Sequence, residues 1–222
     1  DLTSNVDILG TGKVLLKGSS NQNIDMNNFT IPALEIDNVS NATLLSAAKI
    51  GTNLTFTNGN IILGSNNLTM ASAATITGPG ISKFIVTNST GKLVKSSLGG
   101  APGFIYPVGN SPITYNPVTI VNTGTVDDIA VRALGNALTT GLTGSAFTKE
   151  VVDASWDISE ATNGGSNLSV TASWNATDEL AGFNRTKAGL SYYIPSPVGN
   201  VGWDLLNSQT GTATGSNPYS YT

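Results

Sequence analysis

The sequence predicts an all-β protein, in which a short β-solenoid with three strands per turn (residues 1–98) is followed by an immunoglobulin-like β-sandwich (residues 99–222). Short aliphatic and β-branched segments alternate with Asn and Gly corners in the first half, and this pattern returns about every 20 residues. A Gly/Pro-rich stretch ends the period near residue 98. Longer segments with strict two-residue alternation follow it, as expected for sheets with one buried face.

The solenoid prediction rests on columns of equivalent positions. Two residues after each apolar pair stands Gly or Asn, the residue types that tolerate a positive φ at a corner. The pairs, which recur in steps of 20 residues, are Val14/Leu16, Leu34/Ile36, Leu54/Phe56 and Ala74/Ile76. Stacking of four to five such turns between residues 13 and 97 would give them a common core. An antiparallel meander with accidental periodicity would also produce short strands with Asn/Gly turns.

The sequence of the second half also predicts strands, but without the 20-residue repeat. Residues 152–158 and 168–174 alternate strictly between apolar and polar side chains, which indicates strands with one buried face. Trp156 and Trp174 lie on these two strands, and we interpret both as core residues rather than ligand-stacking ones. About eight short strands separated by turn signals favour the immunoglobulin-like sandwich. Beyond a single turn at residues 178–182, the periodicity predicts no helix.

The composition indicates a surface that is polar but weakly charged. Charged residues make up 11% of the 222 residues, against roughly 25% in ordinary soluble domains. This composition favours an extracellular, cell-surface location. The net charge of −4 and only ten Lys and Arg residues leave no basic patch for nucleic acid or anionic lipid. No apolar run reaches about 18 residues, so we predict no membrane insertion.

The chain contains neither histidine nor cysteine. Ser-His-Asp and Cys-His nucleophiles, zinc sites and disulfides are therefore excluded. We predict that the protein is not an enzyme and has no catalytic residues, cofactor or metal site. The carboxylates are scattered, and we interpret them as solvated surface groups. Asp127 and Asp128 have the oxygen ligands that calcium prefers, but their spacing matches no Asp-x-Asp-x-Asp loop.

Two segments carry a resemblance to a known group. FIVTNSTGKLVKSS (residues 84–97) is followed by FIYPVGNSPITYNPVTIVNTGTVDDIAVRAL (residues 104–134). With these segments, nearly the whole chain resembles the Bacteroidota surface proteins that the type IX secretion system exports, in which Asn/Gly-rich solenoid turns precede a PVG…Y-x-PV-x-I strand pair and a sandwich. The resemblance implies a secreted, cell-surface or fibrous protein with no catalytic residues.

Similar sequences continue with a further strand after the sandwich, whereas the sequence given stops at Thr222. Either it is a piece of a longer chain, or the sandwich is short of a strand. A missing strand would leave unpaired backbone groups that a strand from another chain can fill. We therefore predict a structural extracellular protein, a subunit or repeat of a filament or adhesin stalk that joins copies of itself head to tail. The predicted assembly residues are Leu2, Val6, Ile8, Tyr219 and Tyr221. For the N-terminal segment itself, the favoured interpretation is the first strand of the solenoid, and pairing with a neighbouring molecule is the alternative.

The alternative prediction is a glycan-binding module of a secreted surface protein. Exposed aromatic rings can stack on sugar rings, and Tyr192, Tyr193 and Trp203 are the candidates for such a platform. In that case the partners would be surface glycans.

Overall fold

The computed structural model describes residues 1–194, 202–206 and 210–222 and contains short strands throughout. The first half consists of β1 (Leu2–Thr3), β2 (Lys13–Gly18), β3 (Gln22–Asp25), β4 (Thr30–Asn38), β5 (Ala42–Leu44), β6 (Ala48–Asn58), β7 (Ile61–Ile62), β8 (Leu68–Met70), β9 (Thr75–Thr77), β10 (Ile85–Val86), β11 (Leu93–Tyr106) and β12 (Val108–Gly109). The second half consists of β13 (Val118–Leu134), β14 (Leu138–Thr140), β15 (Thr143–Ala146), β16 (Ser155–Glu160), β17 (Leu168–Trp174), β18 (Ser191–Ile194), β19 (Gly202–Leu205), β20 (Thr214–Gly215) and β21 (Tyr219–Tyr221). Two short 3-10 helices, Ala176–Asp178 and Arg185–Lys187, are the helical elements of the described residues.

The chain winds through about five circuits, here called coils, which together build three faces. The first face is a parallel sheet in the order β1-β3-β5-β7-β10-β12. The other two faces are both covered by the long strands β4 and β6. This division is visible at β6, whose first half pairs with β8 and whose second half pairs with β9. We call these halves the second and third faces. Consecutive coils pair in parallel, so the solenoid prediction is confirmed and the meander is excluded.

The predicted apolar columns form the core. The side chains at the second and third steps of the main column, Leu34, Ile36, Leu54 and Phe56, are at most 2% exposed. The corners between coils are held by buried asparagines. Asn38 donates from Nδ2 to the carbonyl of Ser20 at 2.7 Å, one coil away. Such bonds give a partner to the backbone carbonyl groups at the corners, which have no partner in a strand ladder.

The second half extends the solenoid sheet. The 17-residue strand β13 pairs antiparallel with β11 on one edge and with β16 and β17 on the other. One continuous sheet therefore runs in the order β2-β4-β6-β8-β11-β13-β17-β21-β20. The remaining described sheets are the hairpins β14–β15 and β18–β19. An immunoglobulin-like sandwich is not confirmed, and the predicted boundary between residues 98 and 99, which lies inside β11, stays a prediction.

The second half also covers the C-terminal end of the solenoid. The backbone N–H of Asn116 donates to Val108 at 2.9 Å, and the ring of Tyr115 lies 5.1 Å from that of Phe84. The buried hydroxyl of Thr87, on the first face, donates to the carbonyl of Ala133 in β13 at 3.1 Å. It also accepts from the Ala133 N–H at 2.9 Å. These contacts join the last coils to the strands beyond them.

Replacing Thr87 with valine tests this junction. The isosteric change leaves the buried N–H of Ala133 without its acceptor, so we expect the free energy of unfolding to fall by about 1.5 kcal/mol. Urea unfolding followed by circular dichroism measures the loss. Thr57→Val, which removes an exposed hydroxyl on the third face, is the control and should change stability much less. Equal losses in the two variants would contradict the assigned role of Thr87.

Candidate functional site

The N-terminal end of the solenoid is its incompletely covered end. In the first coil, three apolar side chains pack against the core but remain half-buried: Leu2, Ile8 and Val14. Leu2 and Val14 pair in register with Ile24 and Leu34 of the second coil, which are both 0% exposed. Among the described residues, the first coil has a neighbouring coil on one side only, which leaves these three side chains partly uncovered, although Leu16 of the same coil is 4% exposed.

The backbone of the first coil is open on the same side. Among the described residues, β1 has β3 as its one ladder partner and β2 has β4. An edge strand of this kind presents backbone donors and acceptors to any further strand. Exposed aliphatic side chains accompany the edge: Val6 is 65% exposed, Leu9 88% and Leu15 49%. We call this surface, formed by β1, residues 4–12 and β2, the open edge.

Two ion pairs on the third face connect the first coil, which forms the open edge, to the second coil. Lys13 forms an ion pair with Glu35 of the second coil, and Lys17 Nζ lies 3.1 Å from Asp37 Oδ2. The hydrogen bond from Lys13 lowers the pKa of Glu35. The amide of Asn58, followed by Lys17, lowers the pKa of Asp37. The first coil thus contributes cations and the second coil their counter-ions.

The structure places the predicted N-terminal assembly residues in the first coil. Leu2 lies in β1, beside Ile24 of β3. Ile8 is fixed by a 2.9 Å hydrogen bond from its N–H to the carbonyl of Thr30, whereas Val6 is exposed. The segment therefore pairs with its own chain, as expected from the favoured interpretation of it as the first strand of the solenoid.

The two predicted C-terminal residues lie in the large sheet, at the end opposite to β2. Tyr219 and Tyr221 belong to β21, which pairs with β17 on one edge and β20 on the other, and both are half-buried. The guanidinium carbon of Arg185 lies 3.9 Å from the centre of the Tyr219 ring. Arg185 also donates two hydrogen bonds, of 2.7 and 2.8 Å, to the carboxylate of Glu179. β21 is thus fixed within its own chain, and β20 is the outermost strand at this end of the sheet.

The three candidate glycan-binding aromatics do not form one platform. In the hairpin β18–β19, Tyr193 is directly opposite Trp203, with ring centres 5.7 Å apart, whereas Tyr192 is opposite Asp204. Neighbouring residues of a strand point to opposite sides, so Tyr192 lies on the other face. The indole N–H of Trp203 donates to the carbonyl of Leu138 at 2.8 Å, which ties the pair to the hairpin β14–β15. Glycan binding at these residues stays a prediction.

Sequence reasoning missed a partly buried ion-pair cluster formed by Lys92, Arg132 and Asp157. Lys92 Nζ lies 2.7 Å from Asp157 Oδ1, and Arg132 Nε lies 2.8 Å from Oδ2. The Asp157 side chain is only 16% exposed, so our interpretation of it as solvated is wrong. Burial raises the pKa of Asp157, but the two cationic donors outweigh this effect and lower it. The cluster connects the solenoid to β13 and β16.

A second missed residue is Lys95, which is 6% exposed. Its ammonium group donates to three backbone carbonyls, those of Ala71, Ser72 and Ala74, at 2.7–2.8 Å. These carbonyls belong to the turn between β8 and β9. Burial lowers the pKa of Lys95. Its three donors are used within the fold, which assigns it to the structure of that turn.

The acidic side chains of the described residues do not gather into a metal site. No group of three or more Asp or Glu side chains there could hold a metal ion. The carboxylate of Asp127 accepts from the backbone N–H groups of Asp128 and Thr162, each at 2.8 Å. Within the same residues, no helix has the length and apolar character needed to cross a bilayer.

Comparisons with protein-family models, curated proteins and solved structures found no match for the chain. The resemblance to Bacteroidota surface proteins therefore stays a prediction.

Proposed function

We propose that the chain is a structural extracellular protein, a subunit or repeat of a cell-surface filament or adhesin stalk. It joins its neighbour head to tail by strand addition at the open edge. The observation that carries the proposal is the half-buried state of Leu2, Ile8 and Val14, whose equivalents one coil further in are fully buried. A strand or coil added at the open edge would bury these side chains and pair the backbone of β1 and β2.

The topology of the large sheet supports head-to-tail joining. Its two terminal strands, β2 and β20, lie at opposite ends of the strand order. Among the described residues β20 has β21 as its one ladder partner, so each end of the sheet offers an edge. Pairing of β2 with β20 of the next copy would be a heterologous contact, which propagates into a filament instead of closing into a dimer.

The extracellular location and the type IX export route belong to the same proposal. The small share of charged residues favours a surface built from Thr, Ser and Asn. The immunoglobulin-like sandwich is retained here as a proposal for the second half, in which β13, β16, β17 and β21 would form one layer.

Light scattering of the purified protein over a range of concentrations tests the proposal. We expect the average mass to rise with concentration and electron microscopy to show linear particles. The double variant Leu9→Lys/Leu15→Lys places charges on two exposed side chains of the open edge, as natural edge strands do to prevent pairing. It should remain monomeric.

The matched control is Ile105→Lys, which changes an exposed aliphatic side chain of β11, away from the open edge. This variant should assemble like the unmodified protein. A monomer at every concentration, or assembly of the double variant at the unmodified level, would refute strand addition at the open edge.

A further inference from the structure

A groove follows one corner of the solenoid, where the chain passes from the third face to the first. Its volume is about 390 Å³. Three successive corners line it, together with the loop that follows β12. The lining residues are Val39, Asn41, Asn58, Gly59, Asn60, Ser82, Lys83 and Pro112. Because strands of adjacent coils lie about 4.8 Å apart, three corners give the groove a floor roughly 10 Å long.

Two asparagines of the floor have half of their hydrogen-bonding groups held by the fold. Asn41 Oδ1 accepts from the backbone N–H and the amide of Asn60, at 2.9 and 3.1 Å. Asn58 Nδ2 donates to Asp37 Oδ1 at 2.6 Å. Within the described part of the chain, the Asn41 NH2 group and Asn58 Oδ1 make no hydrogen bond. The groove thus holds one fixed donor group and one fixed acceptor for a ligand.

The charge of the groove is opposite to that of the whole molecule. The chain carries a net charge of −4, whereas the lining residues include Lys83 and no Asp or Glu. The Asp37 carboxylate that holds the Asn58 amide is paired with Lys17. The one hydrogen bond of the Lys83 ammonium in the described structure is a long contact of 3.4 Å with the carbonyl of Thr57. An anionic group on a ligand would therefore find a cation whose donors are largely unused.

The backbone at these corners is already paired between coils, which argues against an extended peptide as the ligand. The N–H of Ala42 donates to Asn60, and the N–H of Ile61 donates to Phe84, at 2.9 and 3.0 Å. Peptides bind sheets by pairing with a free backbone edge, and this groove offers side-chain amides and a hydroxyl instead. Neutral groups that donate and accept close together suit the hydroxyl groups of a sugar.

We infer that this corner groove binds an anionic oligosaccharide, with Lys83 contacting the acidic group and the asparagine amides contacting hydroxyls. The side chain of Val39, 68% exposed, and Pro112 supply the apolar walls. This inference does not depend on the proposed assembly, because the open edge contributes no residue to the groove. The groove is also separate from Tyr192, Tyr193 and Trp203.

Fluorescence anisotropy with a labelled oligogalacturonate, a chain of hexuronic acids, tests the inference. A neutral galactan oligosaccharide of equal length is the comparison probe. We expect binding of the acidic probe alone, weakened by salt. Lys83→Gln should weaken it about tenfold, the factor expected for one charge-assisted hydrogen bond. Val39→Asp, which adds a carboxylate at an exposed position, should abolish it without affecting folding.

Lys187→Gln is the matched control, because it removes one exposed positive charge from a 3-10 helix outside the groove. It should leave the affinity unchanged. Three outcomes would overturn the inference: no binding of the acidic probe, equal weakening by Lys83→Gln and Lys187→Gln, or equal binding of an acidic peptide such as oligoglutamate. Loss of self-association in the Leu9→Lys/Leu15→Lys variant with retained probe binding would separate this site from the open edge.

Discussion

Replacing Gly59 with alanine is expected to lower the free energy of unfolding by about 3 kcal/mol, through backbone strain and a steric clash together. Gly59 has φ of +74°, a conformation that a Cβ atom disfavours. The added Cβ would also lie 1.9 Å from the carbonyl oxygen of Asn38, in the coil before it. That oxygen is backbone in the stacked corner, so it cannot move without disturbing the ladder. Equilibrium unfolding in urea measures the effect.

Gly64→Ala separates the two causes. Gly64 has φ of +58°, but an added Cβ would meet nothing within 4 Å. We expect a loss of about 1 kcal/mol, from the backbone conformation alone. Equal losses at Gly59 and Gly64 would show that the close approach between coils is not the source of the larger effect.

Replacing Asp157 with asparagine is expected to cost about 2 to 3 kcal/mol at neutral pH, because two partly buried cations lose their counter-charge. Lys92 and Arg132 are only 18% and 16% exposed, so water compensates them poorly. Glu150→Gln is the control. Glu150 forms a 3.5 Å pair with Lys149, and both side chains are more than 60% exposed, so little change is expected.

The loss at Asp157 should depend on pH in a defined direction. The folded protein holds the pKa of Asp157 below the ordinary value of 3.8. Its stabilising effect is therefore present above pH 3.8 and is lost as the pH falls through the lower pKa of the folded state. The difference in unfolding free energy between the unmodified protein and Asp157→Asn should narrow below pH 3.8. A difference that is constant from pH 7 to pH 2 would contradict the ion-pair explanation.

The solenoid could be predicted from sequence because its determinants are local and repeated. Each strand places apolar residues on one side by two-residue alternation, and each corner needs a residue that tolerates positive φ, such as Gly59. Repetition at 20-residue steps then makes the column of Leu34 and Leu54 visible without any knowledge of long-range pairing.

The second half could not be predicted to the same depth, since its pairings are long-range. Nothing in the local pattern shows that β13 pairs with both β16 and β17, or that β11 continues through the Gly/Pro-rich stretch into the same sheet. The Lys92–Asp157 pair joins residues 65 positions apart. Strand geometry, in contrast, already separates adjacent Tyr192 and Tyr193, because neighbours point to opposite sides. The same alternation indicates that Tyr192 and Tyr193 cannot both belong to one glycan-stacking surface.

The repeating coils let the length of the solenoid change without any change at its covered C-terminal end. Successive coils repeat the same path until β11 leaves it to pair with β13, and the residues that close the solenoid, Tyr115 and Asn116, touch its last turns. Inserting one more 20-residue unit in the middle would lengthen the rod by about 4.8 Å and leave both termini chemically unchanged. The length of such a solenoid is therefore set by its number of repeats, and it changes in steps of one strand spacing.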